Sequence, residues 1–443
     1  MLHRRVALFL IFLILLLPVP PHARGQASRP ATAPAAAAKG GYAPLPVAPA
    51  GFALRQLATM LKPPTRLTSD GSGRFLYVLV DDGDVFRIDL PDGQPRLIVD
   101  RKRYIVSPKG GQCIGLTLDR DGRLYVVSNE FDTDARPQMN HVRIYRSTAR
   151  TRDGDPAELK PWLETQIPYA VDVFQHGVCA IAQGPDGFIY VGSGSRTDHG
   201  EAGDDPTRYR GGEVETSACM WRLDPKSEKP QIEVFARGLR NPFGFCFDDK
   251  GRLFATENGP NAHPPEEINL IEQGKHYGFP YAFSDWTSKT YRDQPDVPAG
   301  ATKFELPIQN VGPAGGASAD KPLGTLEPHS SPSGIVHLAG PEWPGEAQGT
   351  FLVARFGNML PLTKDVGFDV VQVKLIDPAR DGRLRAEVKP FLAPIARPTD
   401  LHMSGKGKIY ICELYRETRN GGEQRPGRIL ELSSVKTRGK FAP

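Results

Sequence analysis

Apolar positions in this chain come in short runs that recur on one phrase, a glycine-bearing turn feeding a strand-like stretch. The copies are Gly73-Arg74-Phe75-Leu76-Tyr77, Asp121-Gly122-Arg123-Leu124-Tyr125, Asp186-Gly187-Phe188-Ile189-Tyr190, Lys250-Gly251-Arg252-Leu253-Phe254 and Lys406-Gly407-Lys408-Ile409-Tyr410, with Gly349-Thr350-Phe351-Leu352 as a weaker one. Asp-Gly or Lys-Gly ahead of a β-rich run signals a tight turn into a strand. Apolar stretches such as Cys113-Ile114-Gly115-Leu116 and Val178-Cys179-Ala180-Ile181 precede the turns. Further strands follow, such as Val142-Arg143-Ile144-Tyr145, Met220-Trp221-Arg222-Leu223 and Arg428-Ile429-Leu430-Glu431. Units of three or four antiparallel strands at a period of roughly 40–50 residues are propeller blades. One blade cannot bury both its faces, whereas a closed ring of six can. The pattern predicts an all-β chain, a six-bladed β-propeller over residues 51–436.

The spacing is uneven, and the gap from Gly251 to Gly349 is the longest. It holds an insertion at about 281–326, too long for an ordinary connection in a compact domain. Its first half, with Asp285, Trp286 and Tyr291, reads as a lid over one propeller face. Its second half, Gly/Pro/Ala-rich from Pro313 to Ala319, reads as flexible.

The N-terminus looks like an address. His3, Arg4 and Arg5 precede an apolar run from Val6 to Leu17, broken by Pro18 and Pro20, and Ala23-Arg24-Gly25 offers small residues for cleavage. The run falls short of the ~20 apolar residues a membrane span needs. Residues 1–25 are read as a signal peptide, with a retained anchor as the alternative, and 26–50 as an Ala/Pro-rich disordered spacer. This implies export to the periplasm or the medium, with no stable membrane span after processing.

Composition narrows the picture. Gly and Pro number 46 and 42, which favours turns over long helices. A net charge of +4 with no basic run lacks the footprint of a nucleic-acid binder. The five cysteines form no CxxC, so neither a cysteine zinc site nor an attached haem is indicated. Each sits in an apolar run and reads as a buried small hydrophobe.

A propeller leaves function open, because ligands bind in the loops around the channel. Four clusters carry chemistry. His176, in Phe174-Gln175-His176-Gly177, stands at the mouth of an inner strand, and histidine is suited to take a proton near neutral pH. In Arg237-Gly238-Leu239-Arg240-Asn241-Pro242, Pro242 restricts Asn241, and Arg240 offers a planar fork for a carboxylate or quinone oxygen. Glu257-Asn258-Gly259-Pro260, with Glu266-Glu267-Ile268-Asn269, combines carboxylates with free carbonyls, the ligands Ca²⁺ prefers. Arg397-Pro398-Thr399-Asp400 opens the last blade with another arginine. The bland readings are a structural histidine, a surface arginine, a solvated acidic turn and a structural Arg–Asp pair.

Those central motifs, followed by His276-Tyr277-Gly278-Phe279-Pro280, closely resemble the glucose/sorbosone dehydrogenase family, the soluble sugar dehydrogenases that use pyrroloquinoline quinone (PQQ). The resemblance implies an exported quinoprotein that oxidises an aldose or related sugar and passes electrons to an external acceptor, with PQQ and Ca²⁺ as cofactors. By position it implies His176 as general base and Gln112 as a substrate contact, beside which the aromatic Trp286 and Tyr291 suit sugar stacking. It implies Arg240, Asn241, Asn258 and Arg397 as cofactor contacts, with Arg240 also near the reacting oxygen, and the carbonyls of Gly259 and Pro260 as Ca²⁺ ligands. The chain departs from the pattern in three places. Ser195 stands where the acidic partner of the catalytic histidine is expected, making Asp198 the candidate orienter. Thr399 replaces a second arginine, and Arg355 is the residue near an expected lysine. Two other classes stay open, a non-catalytic propeller that binds a sugar or a protein, and a Ca²⁺-dependent lactonase-type hydrolase. Convergence of His176, Arg240 and Arg397 on one channel mouth favours the dehydrogenase.

Overall fold

The computed structural model describes residues 44–435 apart from 108–110, 150–154, 157, 169–175, 204, 206–210, 285–288, 302, 360–363, 405–406 and 416–426. All six turn phrases lead into the second strand of a sheet, and there are six sheets. In each, the run before the turn forms the inner strand. These inner strands are Pro64–Ser69, Gln112–Leu118, Val178–Gln183, Gly244–Phe247, Pro332–His337 and Arg397–Ser404, for blades one to six. Among the described residues the helical content is three short 3-10 turns. The chain is a six-bladed β-propeller.

Its core lies between blades. Six apolar clusters form, one at each blade–blade interface. Tyr125, Val142 and Trp162 of blade two, for example, pack on Ile189, Val191 and Trp221 of blade three, and Phe254 of blade four packs on Phe351 and Val371 of blade five. Blade six closes on blade one through Tyr410 and Ile429 against Leu76 and Val78. Burial is therefore complete only when the ring is closed, as expected for units that cannot shelter their own faces. The ring is closed by backbone hydrogen bonds, because the N-terminal strand Phe52–Met60 pairs antiparallel with Gly427–Ser434 as the outer strand of blade six.

The inner strands approach to backbone contact, and glycine permits it. A Cβ on Gly244 of blade four would lie 1.9 Å from the Ser333 carbonyl oxygen of blade five, and one on Gly334 of blade five 2.2 Å from the Leu401 nitrogen of blade six.

One expectation needs correction. The Gly-rich half of the insertion is built into blade five. Gln309–Pro313 pairs parallel with Arg385–Leu392 as a fifth strand, and Ala314–Gly316 forms a 3-10 turn with Ala314 buried. Ile308 and Leu326, on either side, reach the blade four–five core and anchor the segment. Glycine and proline there serve a tight return. The five cysteines are unpaired, four buried and Cys246 half-buried.

Gly244→Ala should destabilise the fold by roughly 1–3 kcal/mol or more, the cost of forcing atoms into a packed core, because the obstructing atom is backbone. Denaturant unfolding of the two proteins measures this, and equal midpoints would show that the inner strands can separate freely.

Candidate active site

Inner strands begin, and second strands end, at the same rim of the propeller. Gln112 and Arg397 are the first residues of the inner strands of blades two and six. His176, Arg240 and Asn241 lie just before those of blades three and four. Asp198 follows the second strand of blade three, Asn258, Gly259 and Pro260 follow that of blade four, and Arg355 ends that of blade five. The candidate residues at these strand ends thus lie at one mouth of the channel, with His176 and Arg397 on opposite blades. Trp286 lies outside the described residues.

Main-chain bonds set the spacing of His176 and Arg240. The His176 N–H donates to the Ser195 carbonyl at 3.3 Å, and the Ser195 N–H donates to the Arg240 carbonyl at 2.7 Å. Ser195 is the spacer between them, and its hydroxyl turns away to the Thr197 carbonyl. Gly194 must be glycine, since a Cβ there would lie 2.4 Å from the His176 Cβ. On the other side Asn129 of blade two pins the next strand, donating to the Val178 carbonyl and accepting from the Val178 N–H, both at 2.8 Å.

The Asp198 carboxylate, the candidate orienter of His176, is engaged by Arg240. Its Oδ1 accepts from Arg240 Nη2 at 2.6 Å, and its carbonyl accepts from Arg240 Nε at 2.9 Å. Arg240 is 1% exposed, and its third arm, Nη1, donates to the Asn258 carbonyl at 2.9 Å. A buried guanidinium needs such a counter-charge, so the pair claims the carboxylate. Burial pushes the Asp198 carboxyl up, but His199, Arg240, Tyr291 and the Asn261 N–H outweigh it and hold the group well below the usual range. His176 is also not turned toward open space, being only 9% exposed. Burial, then the Arg240 charge, lower its pKa well below the ordinary value, with Asp198 opposing, so the ring is neutral at neutral pH.

The turn after blade four's second strand rests on buried acids. Glu266 accepts from the Gly259 N–H, and burial pushes its carboxyl up to about 8. Glu257 accepts from the Arg240 N–H, and burial and the facing Glu267 push it up. Among the described residues no donor meets the carbonyl oxygens of Gly259 or Pro260, and no three His, Cys, Asp or Glu side chains gather as a metal set.

The remaining arginines differ. Arg355 is locked away from the channel, giving Nε and Nη2 to Asp369 at 2.7 and 2.6 Å and Nη1 to Glu327. Arg397 is half-buried between the rings of Phe356 and Phe368, 4.8 Å from each centroid, and reaches the carbonyls of Gly357 and Asn358 at 3.2 and 3.3 Å. Burial lowers its pKa to about 10. Asp400 pairs with Arg66, not with Arg397, and Thr399 closes the ring by donating to the Pro64 carbonyl at 3.2 Å.

The first half of the insertion does meet this rim. The Tyr291 ring stacks on His199 at 3.7 Å between centroids and 2° between planes, so one of its faces is covered. His199 also contacts Asp198 at 3.3 Å and Asp293 at 2.9 Å, and with Pro260 and Phe283 it lines a small cleft. Sequence reasoning missed His199, Asn129 and Arg66. Only the length of the insertion hinted that a blade-three side chain would be needed to hold it.

Comparison with known proteins places this geometry in a family. The family model for glucose / sorbosone dehydrogenase matches residues 82–386. Over 105 residues the chain is 30% identical to quinoprotein glucose dehydrogenase B of Acinetobacter calcoaceticus, covering 21% of this chain and 22% of that protein. It is 27% identical over 207 residues to an uncharacterized protein of Borreliella burgdorferi, covering 44% and 49%. The matches thus span half or less of these curated relatives. Among solved structures, the PQQ-bound aldose sugar dehydrogenase of Streptomyces coelicolor aligns with a TM-score of 0.57 at 22% identity, covering 87% of this chain and 99% of that one. The apo-form soluble aldose sugar dehydrogenase of Escherichia coli aligns with a TM-score of 0.57 at 14% identity, covering 86% and 99%. At these identities the likeness is one of fold.

Asp198→Asn keeps the shape and removes the charge that Arg240 faces. Breaking a buried pair in this way should cost about 3–5 kcal/mol of stability, read from denaturant unfolding. A loss under ~1 kcal/mol would mean that water, not Asp198, balances Arg240.

Proposed function

Since this chain belongs to the glucose/sorbosone dehydrogenase family, we propose that it is an exported sugar dehydrogenase acting on an aldose or related sugar, with PQQ and Ca²⁺ as cofactors and an external electron acceptor. The observation that carries the reading is the gathering of His176, Arg240 and Arg397 at one rim.

The residues there fit the cofactor. The Asn241 side-chain oxygen is buried without a hydrogen-bond partner, and the Gly259 and Pro260 carbonyls are open among the described residues. Backbone and amide oxygens suit Ca²⁺, which also draws ligands from a bound anion and water. Arg397 is the arginine we assign to a cofactor carboxylate. Arg240 and Asn258 would border the cofactor while holding each other, and Arg355 takes no part. When bound, PQQ supplies the hydride acceptor.

The chain's own residues do the rest. His176 takes the proton of the substrate hydroxyl at its imidazole Nε2, in the neutral form that burial and Arg240 favour. Arg240, fixed on Asp198, presents positive charge beside it, where negative charge develops as the proton leaves. Gln112, half-buried at the start of blade two, is assigned to a sugar hydroxyl. Tyr291 and the cleft beside Pro260 wall the site and limit water. Residues 1–25, read as the export signal, lie outside the described residues, and among those described no helix is long and apolar enough to cross a membrane.

One observation favours a second reading, a propeller that binds a sugar or protein without catalysis. His176 is 9% exposed, which is little for a group that must meet substrate.

Adding PQQ with Ca²⁺ at 100 times the dissociation constant should stabilise the protein by about 2.7 kcal/mol and allow dye reduction on an aldose panel. An unchanged melting temperature together with no dye reduction rejects the quinoprotein reading. His176→Ala should retain PQQ binding and lose roughly 10²–10⁴-fold in kcat, and a mutant with most of its turnover would favour the binding propeller. The pH profile is a separate check. A base with a lowered pKa stays neutral further into acid, so the acid limb of kcat/KM should fall below the ~6.5 of a free histidine. A limb at or above that value would assign the proton to another group.

A further inference from the structure

Arg66 is the third residue of blade one's inner strand. In a ring of six, that strand faces the start of blade four across the channel. The Arg66 guanidinium makes the crossing. Its Nε donates to the Ile114 carbonyl of blade two at 2.7 Å, and its Nη1 to Asp400 Oδ1 of blade six at 3.3 Å. Its Nη2 donates to the Phe243 carbonyl, just before blade four, at 2.5 Å, and its carbon lies 4.3 Å from the Phe243 ring centroid. Arg66 is 3% exposed, and Asp400 is fixed in turn by the Leu67 N–H at 2.9 Å. A planar guanidinium can serve three directions at once where an ammonium presents a compact charge.

The far end of this crossing is the turn that carries Arg240 and Asn241. Phe243 ends that turn, and its N–H folds back on the Asn241 carbonyl at 2.7 Å. The other channel seams join neighbouring blades. Thr65 reaches the Cys113 carbonyl, Ser333 the Pro398 carbonyl and Thr399 the Pro64 carbonyl. These bonds already close the ring, so a brace between opposite blades adds something other than closure. It fixes the height of one turn above the channel.

We propose that Arg66 is a positioning residue that holds the 240–243 turn from the opposite blade and forms the floor of the site. Its bearing on the cofactor rests on the reading of Arg240 and Asn241 given above, whereas its hold on the turn does not. Without the guanidinium, the Phe243 carbonyl loses a charge-assisted bond and an aromatic contact together, and Asn241 loses its register toward the rim.

Arg66→Met keeps the apolar stem of the side chain but strands the Asp400 charge, so Arg66→Met/Asp400→Asn is tested beside it, with Arg66→Lys as the conservative variant. Hydrogen exchange should speed at least tenfold in peptides covering 238–245 while peptides covering 267–271 stay unchanged. Titration with PQQ and Ca²⁺, followed by absorbance, should show affinity at least tenfold weaker, with partial recovery in Arg66→Lys. Unchanged exchange in 238–245 in the double variant overturns the proposal, as does faster exchange spread evenly over all blades, which would mark a general brace. If the unmodified protein does not bind PQQ, the cofactor reading falls, and the exchange comparison still decides the role of Arg66.

Discussion

Six sheets can share one channel only if their inner strands come within backbone contact of one another. At that distance there is no room for side chains between strands, which is why glycine stands at Gly244 and Gly334 and why small hydroxyls such as Thr65, Ser333 and Thr399 bridge the seams. The constraint also aligns the blades. Strands packed this closely start at one level, so residues far apart in sequence, from Gln112 to Arg397, arrive at one rim. The site is a by-product of ring closure, and its chemistry comes from what the strand ends carry.

Charge at that rim is mostly held inside the protein. Arg240 answers to Asp198, Arg355 to Asp369 and Glu327, and Arg66 to Asp400. Low-dielectric surroundings make each pair demanding, since removing one member leaves the other stranded. The pairs therefore act as fixed points from which neutral groups, such as the His176 ring and the Asn241 amide, are hung. The electrostatic character of the rim depends on how completely each arginine is engaged more than on how many there are.

The blades were legible because their signal is local. A turn and the strand after it are neighbours in sequence, so all six second strands could be read from glycine turns and apolar runs. The central motifs were legible for the same reason, lying within about a hundred residues from His176 to Pro280. Partnerships across the ring were not. Nothing near Asp198 says that its carboxylate belongs to Arg240, 42 positions on, or that Asp400 belongs to Arg66, 334 positions back. The Gly-rich run 313–319 misled for a related reason. Its composition suits a flexible loop, and what orders it, an edge strand pairing with Arg385–Leu392, lies some seventy residues away.

The outermost strand of blade six has a consequence for how the molecule is made. Phe52–Met60 leaves the ribosome well ahead of its partner Gly427–Ser434, with five blades of sequence between them. Until that partner is made, the Phe52–Met60 backbone lacks its antiparallel pair, and the blade six–blade one interface stays open. A ring of this topology therefore closes only once that late strand is made, and contacts this distant in sequence form slowly. Delayed closure of this kind makes early capture of the Phe52–Met60 strand by another copy the misassembly to guard against during production.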